Sequence, residues 1–174
     1  MRRADFPLLG AWLAAPHVEP WWREAYDAAS IEARYGPCID GNDPTEVFVV
    51  HRGGSPIGIV QRYLIDDNPA WKRALAVADV PEPGAGIDYL IGEEALLGLG
   101  LGPAILDQFL TTTLAHYPQV AAVIVDVDQE NRRSWRALEK CGFLRVWSGT
   151  LDSDDPSDAG PCYVYVLMRR RSPA

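Results

Sequence analysis

The stretch in which chemistry is easiest to place is Gly98-Leu99-Gly100-Leu101-Gly102, followed by Pro103 and an apolar helical run from Ala104 to Ala115. Three glycines at alternate positions leave one face of a turn without side chains, so a ligand can approach the backbone closely. Pro103 suits the first turn of a helix, where its missing N–H costs nothing. Ile105, Leu106, Phe109, Leu110 and Leu114 then recur at helical spacing. A glycine loop feeding a helix N-terminus turns free N–H groups and the positive end of the helix dipole toward its occupant, and the matching occupant is a phosphate or pyrophosphate. The alternative is a glycine turn that only packs tightly, and a short glycine motif does not decide between the two.

Two carboxylates interrupt apolar strands: Asp88 within Ile87-Asp88-Tyr89-Leu90, and Asp126 at the end of Val123-Ile124-Val125. Such a group is costly to bury without a partner. Ligands of α/β sheets collect at the C-terminal ends of strands, where Asp126 falls. The glycine loop follows the Asp88 strand, so both acids can face one cleft with the bound phosphate. An internal arginine pair or an exposed strand face is the competing explanation. Trp21 and Trp22 are adjacent and cannot both face one core from a helix, so one belongs near a surface or cleft, where an indole wall suits a sugar or a flat cation; ordinary packing is the alternative for either one taken alone. His17, His51 and His116 lack metal-ligand spacing, and Cys38, Cys141 and Cys162 form no CxxC pair, so no metal site and no disulfide framework is expected. A reducing cytoplasm fits this cysteine usage.

The elements that must position these residues follow from pattern. With 174 residues, 48% of them hydrophobic, the chain suits one domain, 1–174, with a real core. No apolar run reaches membrane-spanning length, and the first residues lack the apolar segment of a signal peptide. The net charge of -8 disfavours a nucleic-acid partner, and it either attracts a cationic ligand or only keeps the protein soluble. A first helix is expected from Phe6 to Ala14 with Asp5 as its N-cap, and a second from Arg23 to about Arg34, with Gly36-Pro37 as a turn. Strands are expected at Glu46–His51, Ile57–Leu64, Ile87–Ile91, Val120–Val127, Phe143–Gly149 and Tyr163–Arg169. A loop from Asp66 to Ala85 carries a helical segment near Lys72–Ala78, and a helix starts at Asn131 and is stopped by Gly142. The turn Asp152–Asp158 reads as acidic and polar. The pattern is α/β (α+β), a mixed sheet with helices on its faces.

The strand, Gly98–Gly102, the helix and strand that follow, and the block Asn131-Arg132-Arg133-Ser134-Trp135-Arg136-Ala137-Leu138-Glu139-Lys140-Cys141-Gly142-Phe143 together resemble the GNAT superfamily of acyl-CoA-dependent N-acyltransferases. Its signature, (Arg/Gln)-x-x-Gly-x-Gly/Ala, falls on Leu97, Gly100 and Gly102, with Leu97 departing at the first place. Within the superfamily, His17-Val18-Glu19-Pro20-Trp21-Trp22, Gly86-Ile87-Asp88, Asp126 five positions before Asn131, and Gly160-Pro161 look like the aminoglycoside 6′-N-acetyltransferases.

The resemblance implies a mostly antiparallel GNAT-like sheet with an acyl-CoA cleft between two splayed strands, and acetyl-CoA as co-substrate. It implies cofactor contacts at Leu90, Ile91, Gly98, Leu99, Gly100, Leu101, Gly102, Pro103 and Asn131. The acceptor contacts it implies are Trp21, Trp22, Asp66, Asp67, Asp88 and Asp126, with Asp88 as candidate base and Asp126 orienting an ammonium group. Two departures stand out. The tyrosine that often protonates the leaving thiolate is Leu138 here, which leaves Tyr163 or Tyr165 as candidates, or no protein acid at all. The family's first strand is shortened or missing. The expected activity is acetylation of a cationic small-molecule amine, foremost the 6′-amine of an aminoglycoside antibiotic, by a cytoplasmic monomer or homodimer. Acylation of a siderophore hydroxylysine or a protein N-terminus, or acyl-CoA binding without turnover, are the rival expectations.

Overall fold

Alternating runs on either side of Gly53-Gly54 pair as a hairpin of β1 (Glu46–Arg52) and β2 (Ser55–Leu64). In this computed structural model, which describes residues 1–153 and 155–170, the hairpin begins a six-stranded sheet. The other strands are β3 (Gly84–Ile91), β4 (Ala122–Asp128), β5 (Leu144–Thr150) and β6 (Pro161–Met168), in the order β1-β2-β3-β4-β6-β5. Every neighbouring pair is antiparallel except β3 and β4, which are parallel. That parallel ladder is short: Gly84, Ala85 and Gly86 pair with Ala122, Val123 and Ile124, and both strands then run on unpaired with each other. The mostly antiparallel sheet with one splayed junction is the expected architecture.

Helices cover both faces. On one face α1 (Phe6–Leu13) and α3 (Ala28–Asp40) bury Leu9, Leu13, Ile31 and Tyr35 against Val47, Ile59 and Leu90. Further along this face α4 (Pro69–Leu75) buries Trp71 and Leu75 against Ile124, Val164 and Val166. On the opposite face α5 (Leu101–His116) and α6 (Arg132–Lys140) bury Leu106, Phe109, Leu110 and Leu138 against Val60, Ile87, Val123 and Val125.

Local signals and outcome differ at a few places. The expected helix from Arg23 is divided: α2 (Glu19–Trp22) stops where Arg23 takes the left-handed conformation (φ 53°), and α3 starts where the Asp27 carboxylate accepts the N–H groups of Ala29 and Ser30. Gly36-Pro37 lies inside α3, because the buried Ile31 and Tyr35 hold the helix against α1 and packing outweighs the breaker. Asp5 does not cap α1, since its carboxylate accepts the Arg2 N–H at 2.8 Å instead. The helix α5 starts at Leu101, three residues before Ala104, so Gly102 and Pro103 form its first turn. No strand precedes α1 among the described residues; the Met1 ammonium donates to the Val47 carbonyl beside β1.

Candidate functional site

The sheet's own geometry builds the site. Strand side chains alternate between faces, so Gly86, Asp88 and Leu90 of β3 look toward α1–α4, while Ile87 and Tyr89 look toward α5 and α6. The same parity turns Ile124 and Asp126 toward α4, and Val125 and Val127 toward α6. Because Gly86 is the last residue paired with β4, opposite Ile124, Asp88 and Asp126 stand two residues beyond the junction, one on each lip of the opening. A cleft of about 1190 Å³ runs through this opening and is lined from both faces.

On the α1–α4 side the cleft is acidic. The Gln61 amide, cross-strand partner of Asp88, donates to its Oδ2 at 2.9 Å. Burial raises the Asp88 carboxyl from 3.8 to about 6, against the pull of that hydrogen bond, and Asp158 and Asp155 add to the rise. Burial first, then Asp158 and Asp88, hold Asp126 well above the usual carboxylate range. Asp158 is also raised, chiefly by burial, although the Ser153 hydroxyl and Asp126 both hydrogen-bond to it. Burial and mutual repulsion therefore favour the neutral forms of these carboxyls, and a neighbouring cation would favour their charged forms. Tyr63 lies over Gly86 so closely that a Cβ there would meet its ring at 2.3 Å. Burial and the surrounding carboxylates keep the Tyr63 phenol protonated. Trp21, Trp22 and Trp71 add aromatic walls.

Arg23 straps this chamber. Its guanidinium pairs with Asp128 at 2.6 Å and donates to the carbonyls of Pro20, Ser157 and Ala159, which ties α2 to the loop after β5. Glu24 is held by the Tyr35 hydroxyl at 2.7 Å.

On the α5–α6 side the lining is different. Gly98 and Gly100 both have φ of 76°, a conformation that other residues adopt only with strain, and nothing lies within 4 Å of a Cβ at either. Gly100 is the N-cap of the sixteen-residue α5. From α6, Arg133, Arg136 and Lys140 reach the cleft. The Asn131 carboxamide caps α6 by accepting the Ser134 N–H at 3.2 Å. An open glycine cradle, a long helix N-terminus and three cations on one side fit a pyrophosphate-bearing co-substrate.

Most of the sequence-derived site residues meet here. Trp21, Trp22, Asp67, Asp88, Leu90, Ile91, Gly98, Gly100, Leu101, Gly102, Pro103, Asp126 and Asn131 all line the cleft. Two do not. Leu99 turns outward and is 61% exposed, because the glycine on either side aims it at solvent. Asp66 is bound to Lys72 at 2.6 Å on the far side of α4. Tyr163 and Tyr165 also lie outside the cleft lining: the Tyr163 ring faces the Arg145 guanidinium at 4.4 Å, and the fully buried Tyr165 donates to Glu139. Leu138 is buried in the core beneath α6. Sequence reasoning missed Gln61, Tyr63, Arg23, Asp128 and Asp158. Of these only Asp158 carried a signal, its place in the acidic turn Asp152–Asp158, of which Asp154 lies outside the described residues.

Comparison with known proteins agrees with this geometry. A family model described as an acetyltransferase (GNAT) domain matches residues 2–151. The crystal structure of aminoglycoside acetyltransferase AAC(6')-Ib in complex with coenzyme A is similar over 97% of this chain and 92% of that one, with 27% identity and a TM-score of 0.80. AAC(6')-Ib in complex with ribostamycin and coenzyme A matches with 28% identity and a TM-score of 0.79, over 97% and 90% of the two chains. A spermidine N-acetyltransferase from Vibrio cholerae shares the fold at 15% identity and a TM-score of 0.68, over 97% and 92%. No curated protein matches the chain by sequence.

Proposed function

The chain belongs to the GNAT acetyltransferase family, with acetyl-CoA as its co-substrate, and we propose that it acetylates an amine of a polycationic small molecule, the 6′-amine of an aminoglycoside. The observation that carries this reading is the chamber of Asp88, Asp126 and Asp158, three sheltered carboxyls whose charged forms are disfavoured until a cation arrives. Aromatic walls at Trp21, Trp22 and Trp71 favour a ring-bearing cation over a linear one.

In this reading each residue has a task. Asp126, with Asp158, orients the ammonium groups of the acceptor, and Asp67 adds a further charge at the rim. Asp88 accepts a proton from the amine that attacks, directly or through water, and a carboxyl raised to about 6 is suited to a base near neutral pH. The backbone N–H groups between Gly98 and Ala104, Pro103 having none, hold the pyrophosphate, with Arg133, Arg136 and Lys140 nearby. Leu90, Ile91 and Asn131 border the passage between the two sides. Among the described residues the chamber holds no activated nucleophile, so the amine attacks the thioester directly in a ternary complex. Function in the cytoplasm is part of the same proposal.

The test is thiol release from acetyl-CoA with a panel of 6′-amino and 6′-hydroxyl aminoglycosides, for wild type and Asp88→Asn. Turnover confined to 6′-amino members and lost in the variant is expected. Tight acetyl-CoA binding with no turnover on any member overturns the aminoglycoside reading.

A further inference from the structure

When the thioester C–S bond breaks, its electron pair goes to sulfur, and a donor that meets that charge lowers the barrier. The residues named for this from the sequence do not serve: Leu138 has no hydroxyl, and Tyr163 and Tyr165 lie outside the cleft lining. Of the hydroxyls that do line the cleft, Tyr89 and Ser134 are those on the α5–α6 face. They are bonded to each other: Tyr89 Oη lies 3.0 Å from Ser134 Oγ and donates to the Ser134 carbonyl at 3.3 Å.

Their location is specific. Ser134 and Leu138 are four residues apart and share one face of α6, and helical side chains lean toward the N-terminus. A hydroxyl carried at position 138 would therefore project over the turn that holds Ser134. Tyr89 reaches that same turn from β3. It also follows Asp88 directly, so strand alternation puts the carboxylate on the acceptor side of the opening and the phenol on the co-substrate side.

We propose that Tyr89, its oxygen held by the Ser134 hydroxyl, turns its single O–H from the Ser134 carbonyl to the coenzyme A sulfur as the C–S bond breaks, in place of a hydroxyl from α6. The amine nitrogen forms the new C–N bond and gives up its proton toward Asp88. The C–S electron pair moves to sulfur. The thiolate leaves hydrogen-bonded to Tyr89 and takes its proton from water. Burial raises the Tyr89 phenol to about 12, so it keeps its own proton throughout and acts as a donor of a hydrogen bond. This inference rests on acetyl-CoA chemistry alone and not on which amine is the acceptor.

The test therefore needs no acceptor. The thiol of bound coenzyme A is titrated by thiolate absorbance, with desulfo-coenzyme A as the blank, in wild type, Tyr89→Phe and Ser134→Ala. The wild type is expected to hold the bound thiol below its value in free coenzyme A. Tyr89→Phe is expected to raise it by about one to two units, and with any amine that is turned over to lower kcat about 10- to 100-fold at little change in KM for acetyl-CoA, the range of one hydrogen bond to a charged group. Ser134→Ala is expected to keep most of the low value. A bound thiol that titrates as in free solution in the wild type overturns the proposal, even if no variant folds. So does Tyr89→Phe titrating like wild type, or Ser134→Ala reproducing the whole shift.

Discussion

Replacing Asp88 with asparagine keeps the outline of the chamber and removes one charge, so it separates what that carboxylate costs the fold from what it does. Its folded value of about 6 stands about two units above the 3.8 of an unperturbed carboxyl. Each unit corresponds to ~1.4 kcal/mol, so the ionised form costs at most about 3 kcal/mol of stability. Asp88 is reachable from the cleft, and water there screens part of this, which leaves about 1–2 kcal/mol. The sign follows from proton binding. Between about pH 4 and 6 the folded chain holds a proton that the unfolded chain has lost, so wild-type stability falls as pH rises through that window and levels off above it. Asp88→Asn has no such term. Urea-unfolding midpoints from pH 5 to 8 should show the variant as the more stable protein, by about 1–2 kcal/mol at pH 7.5, with the gap narrowing toward pH 5. Thiol release should be lost in the same variant, and in wild type kcat/KM should rise through about pH 6. Equal stabilities across the range, or a gap that widens as pH falls, would refute the argument that burial dominates at Asp88.

Two other substitutions probe the walls of the chamber. Gly86→Ala places a Cβ 2.3 Å from the Tyr63 ring, which lines the cleft, so a loss of about 1–3 kcal/mol together with a collapse of acceptor turnover is expected in thermal unfolding and thiol-release assays. Arg23→Ala removes the ion pair to Asp128 and the strap to the loop at 157–159; it should cost about 2 kcal/mol and raise KM for the acceptor more than KM for acetyl-CoA. Arg23→Gly should be about 1 kcal/mol less damaging than Arg23→Ala, since φ of 53° suits glycine, and equal losses would show that the strain at Arg23 is negligible.

The legible parts of the sequence were those where a local signal coincides with the site. The glycines at 98, 100 and 102, the Asn131 cap and Gly142 after α6 act within a few residues of themselves, so the turns and helix ends they make read directly. Asp88 and Asp126 were visible because a charge inside an apolar strand is conspicuous. Arg23 was not, because its partner Asp128 is more than a hundred residues away and nothing local distinguishes it from any other surface arginine. Gln61 reads as one polar residue in a strand until the register sets it opposite Asp88. The Gly36-Pro37 pair misled in the other direction: a strong local breaker was overridden by the burial of Ile31 and Tyr35, which no short window can weigh.

What no local reading can supply is the junction between β3 and β4. Parallel strands need a long crossover, here through α5, so their relative register is set by how that helix packs and not by a turn. Yet that register decides most of the chemistry. Shift the pairing by one residue and Asp126 moves from the face of Asp88 to the face of Tyr89, since strand parity is two. With Gly86 opposite Ile124 as the last pair, the strands part just before the two aspartates, and both point to the acceptor side. The same parity sends Tyr89 to the other side, beside Ser134. The glycine at 86 is part of the device: any side chain there would displace Tyr63 from the floor of the opening. An acidic chamber on one face, a cationic glycine cradle on the other, and a passage between them thus follow from three ladder pairs and the alternation of two strands.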